Sequence, residues 1–250
     1  MTGARRERDV STWLTAVISG SLPEWELLSS VERLRLTDVA ERLVNRVNWE
    51  ASRGFSLNNN IRGTVAGHAA LLAVGLPEPV FKNVSAIVVH PATITIRGPR
   101  SGAVPGTVDT HPLPVLGHTT AHGPVFIAWD DALHQARHPD QGFNVVFHEF
   151  AHKLDAEDGT LDGTPRLSDR AERQRWIEVC NAEYQALRLG NGSALLSEYA
   201  GTNPSEFFAV TTEIFFRLGA DLAEDRPDLY DVFRRFYHQD PAGRRQRKAK

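Results

Sequence analysis

The sequence predicts an α+β fold, a mainly helical single domain with a small mixed sheet. The chain has 250 residues, 41% of them hydrophobic and 24% charged, which is ordinary for one soluble domain with a sizeable core. Apolar residues recur at three- and four-residue steps along much of the chain, a spacing typical of helices that pack on a core. β-branched residues cluster in the middle of the chain, where short strands are expected.

Composition argues against several classes of partner. The net charge of −3 gives no global field for direct binding of nucleic acid or of an anionic membrane. A single cysteine, Cys180, excludes an internal disulfide framework and a Cys-based zinc site, and it fits a reducing compartment. The charged start MTGARRERDV does not resemble a secretory signal, and no apolar run approaches the roughly 20 residues that span a bilayer. We therefore expect a cytoplasmic protein without a membrane or nucleic-acid partner.

The first predicted elements are helices. Residues 24–50 place apolar side chains at helical spacing between Glu and Arg, and Pro23 near the start suits a helix N-terminus. The stretch NNNIRGTVAGHAALLAVGLP predicts a second, largely buried helix that ends near Pro77.

The middle of the chain changes character. The β-branched stretch SAIVVHPATITIRG predicts one or two strands, with Pro91 as a break or an edge. Residues 98–123 are rich in Gly, Pro, Thr and His and predict a long loop or irregular hairpin, a length that is often functional. Residues 124–129 predict a short strand, and a short helix follows it. This strand could bind a peptide along its edge, or it could be a plain core strand.

Helices dominate the remainder of the chain. The apolar periodicity predicts them over residues 144–154, 169–187, 204–218 and 227–237. The basic tail, residues 241–250, has almost no apolar residues and is expected to be disordered. Residues 1–20 are expected to form a flexible N-terminus, which leaves residues 21–240 as the domain.

One predicted helix carries a pattern that apolar packing does not explain. In NVVFHEFAHKLD, His148 and His152 lie four residues apart and therefore on one helical face, and Glu149 follows the first of them. Both imidazoles can bind one metal ion, with Glu149 beside it, as in H-E-x-x-H zinc hydrolases. The alternative is a pair of partly buried histidines that bond to neighbours. Burial of three polar groups in an apolar helix is costly, however, and a metal would satisfy all of them.

A catalytic zinc ion usually has three protein ligands, so a third must come from elsewhere. No histidine follows His152 until His238, which leaves carboxylates as candidates. Glu206 opens an apolar helix, where its carboxylate needs a partner. Glu213 lies two turns later on the same face and could be a rival ligand or could support one. Glu198 lies outside the helix, and spacing alone leaves these alternatives open.

Other polar residues allow weaker hypotheses. Asp155 shares a helical face with the two histidines and could accept a ring N–H, or it could simply end the helix. Three histidines of the Gly/Pro-rich loop, His111, His118 and His122, could form a lid or a second metal site. Solvated loop histidines are the commoner outcome.

Three stretches carry a family resemblance. NVVFHEFAHKLDAEDG, LSDRAERQRWIEVCNAEYQAL and EYAGTNPSEFFAV resemble the Mlc titration factor A family of bacterial zinc peptidases, and the similarity covers about residues 22–237. The zinc-site pattern is also similar to that of the catalytic domain of anthrax lethal factor, in which a Tyr precedes the ligand Glu by seven residues. Val210 stands where lethal factor has a further Glu, so no role of that group is transferred.

The resemblance implies a zincin-like (gluzincin) active-site helix and a set of roles. One Zn²⁺ would be held by His148, His152 and Glu206, with Glu149 as the catalytic base. Tyr199 would donate a hydrogen bond to the developing oxyanion, although spacing alone would make it an ordinary tyrosine.

The resemblance also implies a function, a zinc metallopeptidase of aminopeptidase type that acts on peptide substrates. Some family members bind the repressor Mlc and relieve repression of sugar-uptake genes, so an Mlc-like transcriptional repressor is an expected partner. The alternative is a regulator-binding protein whose zinc site is secondary or latent.

Overall fold

The computed structural model describes residues 3–52, 54–92, 95–96, 100–101, 108–109, 113–114 and 123–248. Its helices are α1 (Gly3–Ser21), α2 (Ser30–Arg46), α3 (Asn59–Ala73), α4 (Trp129–Arg137), α5 (Val145–Asp155), α6 (Arg170–Arg188), α7 (Pro204–Arg217), α8 (Gly219–Asp225), α9 (Pro227–Tyr237) and α10 (Pro241–Lys248). Its strands are β1 (Asn48–Ala51), β2 (Ala86–His90), β3 (Thr95–Ile96), β4 (Arg100–Ser101), β5 (Val108–Asp109), β6 (Leu113–Pro114) and β7 (Val125–Ala128). The predicted α+β, mainly helical class is confirmed.

The main sheet has three strands in the order β1-β2-β7. All three are parallel, with Asn48 opposite Ala86 and Ile87 opposite Val125, so the expectation of a mixed sheet was wrong. The reason lies in the connection: α3 carries the chain back across the sheet between β1 and β2, and such a crossover produces a parallel pair. The pairs β3–β6 and β4–β5 are antiparallel and separate from this sheet.

The predicted helix over residues 24–50 is divided in three. A 3₁₀ turn spans Pro23–Leu27, α2 follows it, and β1 occupies the end of the predicted range. The division occurs at Ser29, whose hydroxyl accepts from the backbone N–H of Glu32 while the Glu32 carboxylate accepts from the N–H of Ser29. This reciprocal pair is a capping box, which starts a new helix regardless of the apolar spacing.

Both ends of the chain are more ordered than their composition suggests. Residues 1–20 were expected to be flexible, whereas α1 is helical and buries Leu14 and Ile18 completely. Glycines make this packing possible, because a Cβ at Gly67 of α3 would lie 2.7 Å from Ile18. The tail was expected to be disordered, whereas α10 buries Arg244 and pairs it with Glu32. These partners come from other helices, and local composition does not reveal them.

The two helices that form the centre of the molecule are α5 and α7, which pack against each other. Both are buried along nearly their whole length, and α5 also contacts α3 and β7. Polar groups on their facing sides therefore meet in the interior. Within the described part of the chain, no helix has the length and apolar character needed to cross a membrane.

Candidate metal centre

The helix α5 presents two imidazoles to one point. Its N-cap is Asn144, whose side-chain oxygen accepts from the N–H of Phe147 at 3.0 Å and so fixes where the helix begins. His148 and His152 then lie one turn apart, with their Nε2 atoms separated by 3.2 Å and their rings nearly perpendicular. The spacing predicted this shared face.

The helix α7 adds a carboxylate to the same point. Its N-cap is Asn203, which accepts from the N–H of Glu206 at 2.9 Å, and Pro204 occupies the first turn. One oxygen of Glu206, Oε2, lies 3.0 Å from Nε2 of His148 and 3.4 Å from Nε2 of His152. Among the described residues, these three form a group whose ligand atoms could hold one metal ion.

The outer nitrogens of both imidazoles are bonded to carboxylates, directly or through a hydroxyl. His148 Nδ1 donates to Oε1 of Glu213 at 2.9 Å. His152 Nδ1 donates to the hydroxyl of Ser205 at 2.9 Å, and this hydroxyl donates to Asp155 at 2.7 Å. Because a carboxylate only accepts, these partners assign the proton of each neutral ring to Nδ1. The lone pair of each Nε2 therefore faces the other two ligand atoms.

The residues fit a divalent cation. Glu206 Oε2 is buried and has no well-aligned hydrogen-bond donor, although two imidazoles surround it. Two imidazole nitrogens and one carboxylate oxygen are also the usual donor set of a catalytic zinc ion. Three electron-rich atoms in a buried site repel each other unless a positive charge lies among them.

Protons supply this charge when no metal does so. Burial acts to lower the pKa of His148, but hydrogen bonds with Glu206 and Glu213 outweigh it and raise this pKa well above its ordinary value. Burial acts to raise the pKa of Glu206, but the two adjacent imidazoles, once they carry the proton on Nε2, hold it well below its ordinary value. The site therefore favours a positive charge, supplied either by protons or by a metal ion, and binding of a metal would displace protons.

Two further side chains face the centre. Glu149 is buried, with 3% of its surface exposed, and interacts electrostatically with Lys153 one turn later. Tyr199 lies in a 3₁₀ turn, Glu198–Gly201, with its ring 6.1 Å from the ring of His148. Burial of its hydroxyl and the negative charge of the nearby Glu206 raise the pKa of Tyr199, so the phenol keeps its proton.

The structure separates the three carboxylate candidates by position. Glu206 lies against both imidazoles, Glu213 contacts only the outer nitrogen of His148, and Glu198 is exposed in the turn beside Tyr199. Of the two alternatives for Asp155, direct acceptance of a ring N–H is not what the structure shows, because Ser205 stands between Asp155 and His152.

Sequence reasoning missed several polar residues around the centre. Ser205, Asn144 and His68 all belong to its hydrogen-bond network. Asn144 carried a weak signal as a helix-capping residue before an apolar run, whereas nothing local distinguishes Ser205 or His68. The loop histidines His111, His118 and His122 lie outside the described residues.

Comparison with known proteins assigns this chain to a family of metallopeptidases. A family model described as glucose-regulated metallo-peptidase M90 matches residues 3–238. An uncharacterised protein of Synechocystis sp. is 32% identical over 231 residues, which are 90% of this chain and 83% of that protein. Mlc titration factor A of Serratia proteamaculans is 29% identical over 233 residues, 91% of this chain and 87% of that protein. The protein of the same name from Klebsiella pneumoniae is 29% identical over 230 residues, 90% of this chain and 86% of that protein.

Proposed function

The chain belongs to the glucose-regulated metallopeptidase M90 family, and from this membership we propose that it is a zinc-dependent aminopeptidase that acts on peptides. One observation carries the proposal: the Nε2 atoms of two imidazoles and a carboxylate oxygen converge in a buried site that a divalent cation would satisfy. The zincin-like character of α5 and the aminopeptidase preference are supported by the resemblance of the motifs alone.

The protein's own residues would hold the ion and fix its surroundings. His148, His152 and Glu206 are the ligands we propose, and Glu213 and Ser205 keep the two imidazoles neutral and aimed at the ion. When bound, Zn²⁺ supplies Lewis acidity, which lowers the pKa of a water molecule and polarises a carbonyl group.

Glu149 is the proposed general base. It follows His148 directly, so its carboxylate lies beside the ligand set without belonging to it. It would accept the proton of the attacking water and later donate that proton to the leaving amine nitrogen. The ammonium of Lys153, one turn along α5, interacts electrostatically with this carboxylate.

Tyr199 is the proposed hydrogen-bond donor to the substrate. Its raised pKa keeps the hydroxyl protonated at neutral pH, and 45% of the residue is exposed, so a substrate can reach it. Its hydroxyl would donate to the substrate carbonyl oxygen as negative charge develops there.

The strand β7 offers a place for the peptide backbone. Of the described residues, only β2 pairs with β7, and β7 packs against α5. Lys153 of α5 donates to the carbonyl of Gly123, just before the strand, at 2.7 Å. A peptide that pairs with the outer edge of β7 would therefore run close to α5.

A second candidate function is regulation through a protein partner. It is favoured by the relatives named Mlc titration factor A, and the proposed partner is an Mlc-like transcriptional repressor. In this case the metal site would be secondary to the surface that binds the repressor.

Metal analysis of the purified protein, with turnover of chromogenic amino-acid and peptide substrates, tests the enzyme proposal. We expect bound zinc, loss of turnover with a chelator, and recovery when zinc is returned. Full turnover after complete metal removal would refute the proposal. Glu149→Ala should keep zinc and lose about 10²–10⁴-fold in rate. If regulation of a repressor persists in that variant, peptide hydrolysis is dispensable for it.

A further inference from the structure

A chain of buried hydrogen bonds runs from the metal centre to the end of α1. His148 Nδ1 donates to Oε1 of Glu213 at 2.9 Å, and Oε2 of Glu213 accepts from the backbone N–H of Asn144. The side-chain amide of Asn144 donates to Nδ1 of His68 at 2.9 Å. His68 Nε2 donates to the carbonyl of Ser21 at 2.9 Å. The chain therefore links α5 and α7 to α3 and α1.

The donor and acceptor roles in this chain have one consistent order. Asn144 uses its side-chain oxygen to cap Phe147, so its NH₂ group must face His68. Nδ1 of His68 is then an acceptor, and its Nε2 carries the proton toward Ser21. His68, Asn144 and Glu213 have exposures of 0%, 1% and 6%, so water cannot readily replace a lost partner.

His68 remains neutral over the range in which a peptidase would act. Burial, with a smaller effect of the Arg217 guanidinium, lowers its pKa to about 3. Hydrogen bonds to Ser21 and Asn144 act in the opposite direction and do not outweigh burial. Nδ1 therefore stays available to accept from Asn144.

We propose that Glu213, Asn144 and His68 are positioning residues that set the direction of the His148 ring and hence the affinity of the site for metal. Glu213 holds the ring directly, Asn144 holds Glu213 through its backbone N–H, and His68 holds the amide of Asn144. The end of α1 thereby contributes to a site that contains none of its side chains. This inference rests on the proposed metal site.

Three variants test the chain of bonds. Glu213→Gln keeps the size of the side chain but replaces one of its two acceptor oxygens with an NH₂ group, which then opposes the N–H of either Asn144 or His148. His68→Phe keeps a ring and removes both hydrogen bonds. Tyr237→Phe is the matched control, because it removes a buried hydrogen bond to Thr212, next to Glu213 in α7, and touches no proposed ligand.

The measurements are the zinc dissociation constant, by competition with a chromophoric chelator, and the visible spectrum of the Co²⁺-substituted protein. We expect zinc affinity to fall about 10–100-fold in Glu213→Gln, as for other groups that hold a ligand imidazole. A smaller loss, about three- to tenfold, is expected in His68→Phe, which acts through two intervening groups. Both variants should shift the Co²⁺ bands, and Tyr237→Phe should lower stability without changing either readout.

The outcomes separate this inference from the proposed function. A wild-type protein that binds no zinc would overturn both. Tight wild-type binding with an unchanged constant and spectrum in Glu213→Gln would overturn the positioning role alone. A His68→Phe protein indistinguishable from Tyr237→Phe would end the role of His68. If His68→Phe does not fold, Asn144→Ser tests the same link, because serine still caps α5 but cannot donate to His68 as the amide does.

Discussion

Each proposed ligand is held in position by a residue that would not itself contact the metal. Glu206 is the third residue of α7, and Asn203 fixes that helix start through the N–H of Glu206. His152 is held by Ser205, the residue directly before Glu206. The start of α7 therefore supplies one proposed ligand, Glu206, and also Ser205, which holds a second proposed ligand, His152. Substitution of single residues can therefore test the site.

Replacement of Tyr199 with Phe removes the hydroxyl and keeps the ring beside His148. We expect kcat to fall about 10²–10³-fold, since the hydroxyl would stabilise charge that develops only in the transition state. KM and zinc content should change little. Steady-state kinetics with metal analysis checks this, with Tyr230→Phe as a control at a tyrosine that bonds to Asp240 instead. An unchanged kcat would exclude Tyr199 as the donor.

The buried His68 should make stability depend on pH. Its pKa is about 3 in the folded chain and about 6.5 when unfolded, so between these values only the unfolded chain takes up the proton. The free energy of unfolding therefore falls as pH falls below 6.5. From there to about pH 4, wild type should lose up to about 1.4 kcal/mol per pH unit more than His68→Phe. Urea unfolding at several pH values measures this, and parallel curves would contradict it.

At the scale of elements, the loop between α5 and α6 is bonded to both of these helices and lies against the start of α7. Gly163 has φ of +77°, and both oxygens of Asp155 accept its N–H, at 2.9 and 3.1 Å. Its carbonyl accepts from the indole N–H of Trp176 at 3.0 Å. Asp155 in turn supports His152 through Ser205, so the conformation of the loop influences the position of this proposed ligand.

Gly163→Ala should therefore destabilise the protein more than Gly159→Ala in the same loop. Both glycines have positive φ, which costs about 1–2 kcal/mol for alanine. A Cβ at Gly163 would also lie 2.3 Å from the carbonyl oxygen of Pro204, whereas a Cβ at Gly159 meets nothing within 4 Å. Denaturant unfolding compares the two variants. Equal losses of stability would show that the backbone of α7 yields easily at this contact.

At the scale of the whole molecule, the candidate metal centre lies where the two most buried helices pack together, and the 3₁₀ turn Pro23–Leu27 and α10 both contact the end of α7. Arg217 at the end of α7 is fully buried and pairs with Glu24 at 2.7 Å, while Arg245 of α10 donates to the Arg217 carbonyl. Its guanidinium also lies 4.9 Å from the ring of Phe147 in α5. Metal binding should therefore be coupled to global folding.

Zinc should raise the melting temperature. A ligand that binds only the folded state adds about 2.7 kcal/mol of stability at 100 times its Kd, or about 5–11 °C for a chain of this size. A chelator should remove this gain, and His148→Ala should not show it. Thermal scans at fixed protein concentration check both expectations. The same melting temperature with and without zinc would argue that the site is empty in solution.

Local sequence patterns were sufficient for much of the secondary structure. Helices predicted over residues 144–154, 169–187, 204–218 and 227–237 correspond to α5, α6, α7 and α9 to within a residue or two, since apolar periodicity and capping residues act within a few positions. The short helix α8 and the strand β1 were missed, because a few residues carry too little periodicity.

By itself, the sequence determined that His148 and His152 share one helical face, since a four-residue step closes a helical turn, and it left carboxylates as the candidates for a third ligand. Spacing left the carboxylate open and the resemblance favoured Glu206, but only the tertiary structure shows which one lies against both imidazoles, since Glu213 is 65 residues from His148 and Glu206 lies two turns earlier in the same helix. It also brought Asn144 against His68, 76 residues away in the chain, and packed α1 against α3. Such contacts depend on how the helices pack. A hydrogen bond between residues that are distant in the chain produces no periodic pattern in the sequence, so spacing cannot predict it.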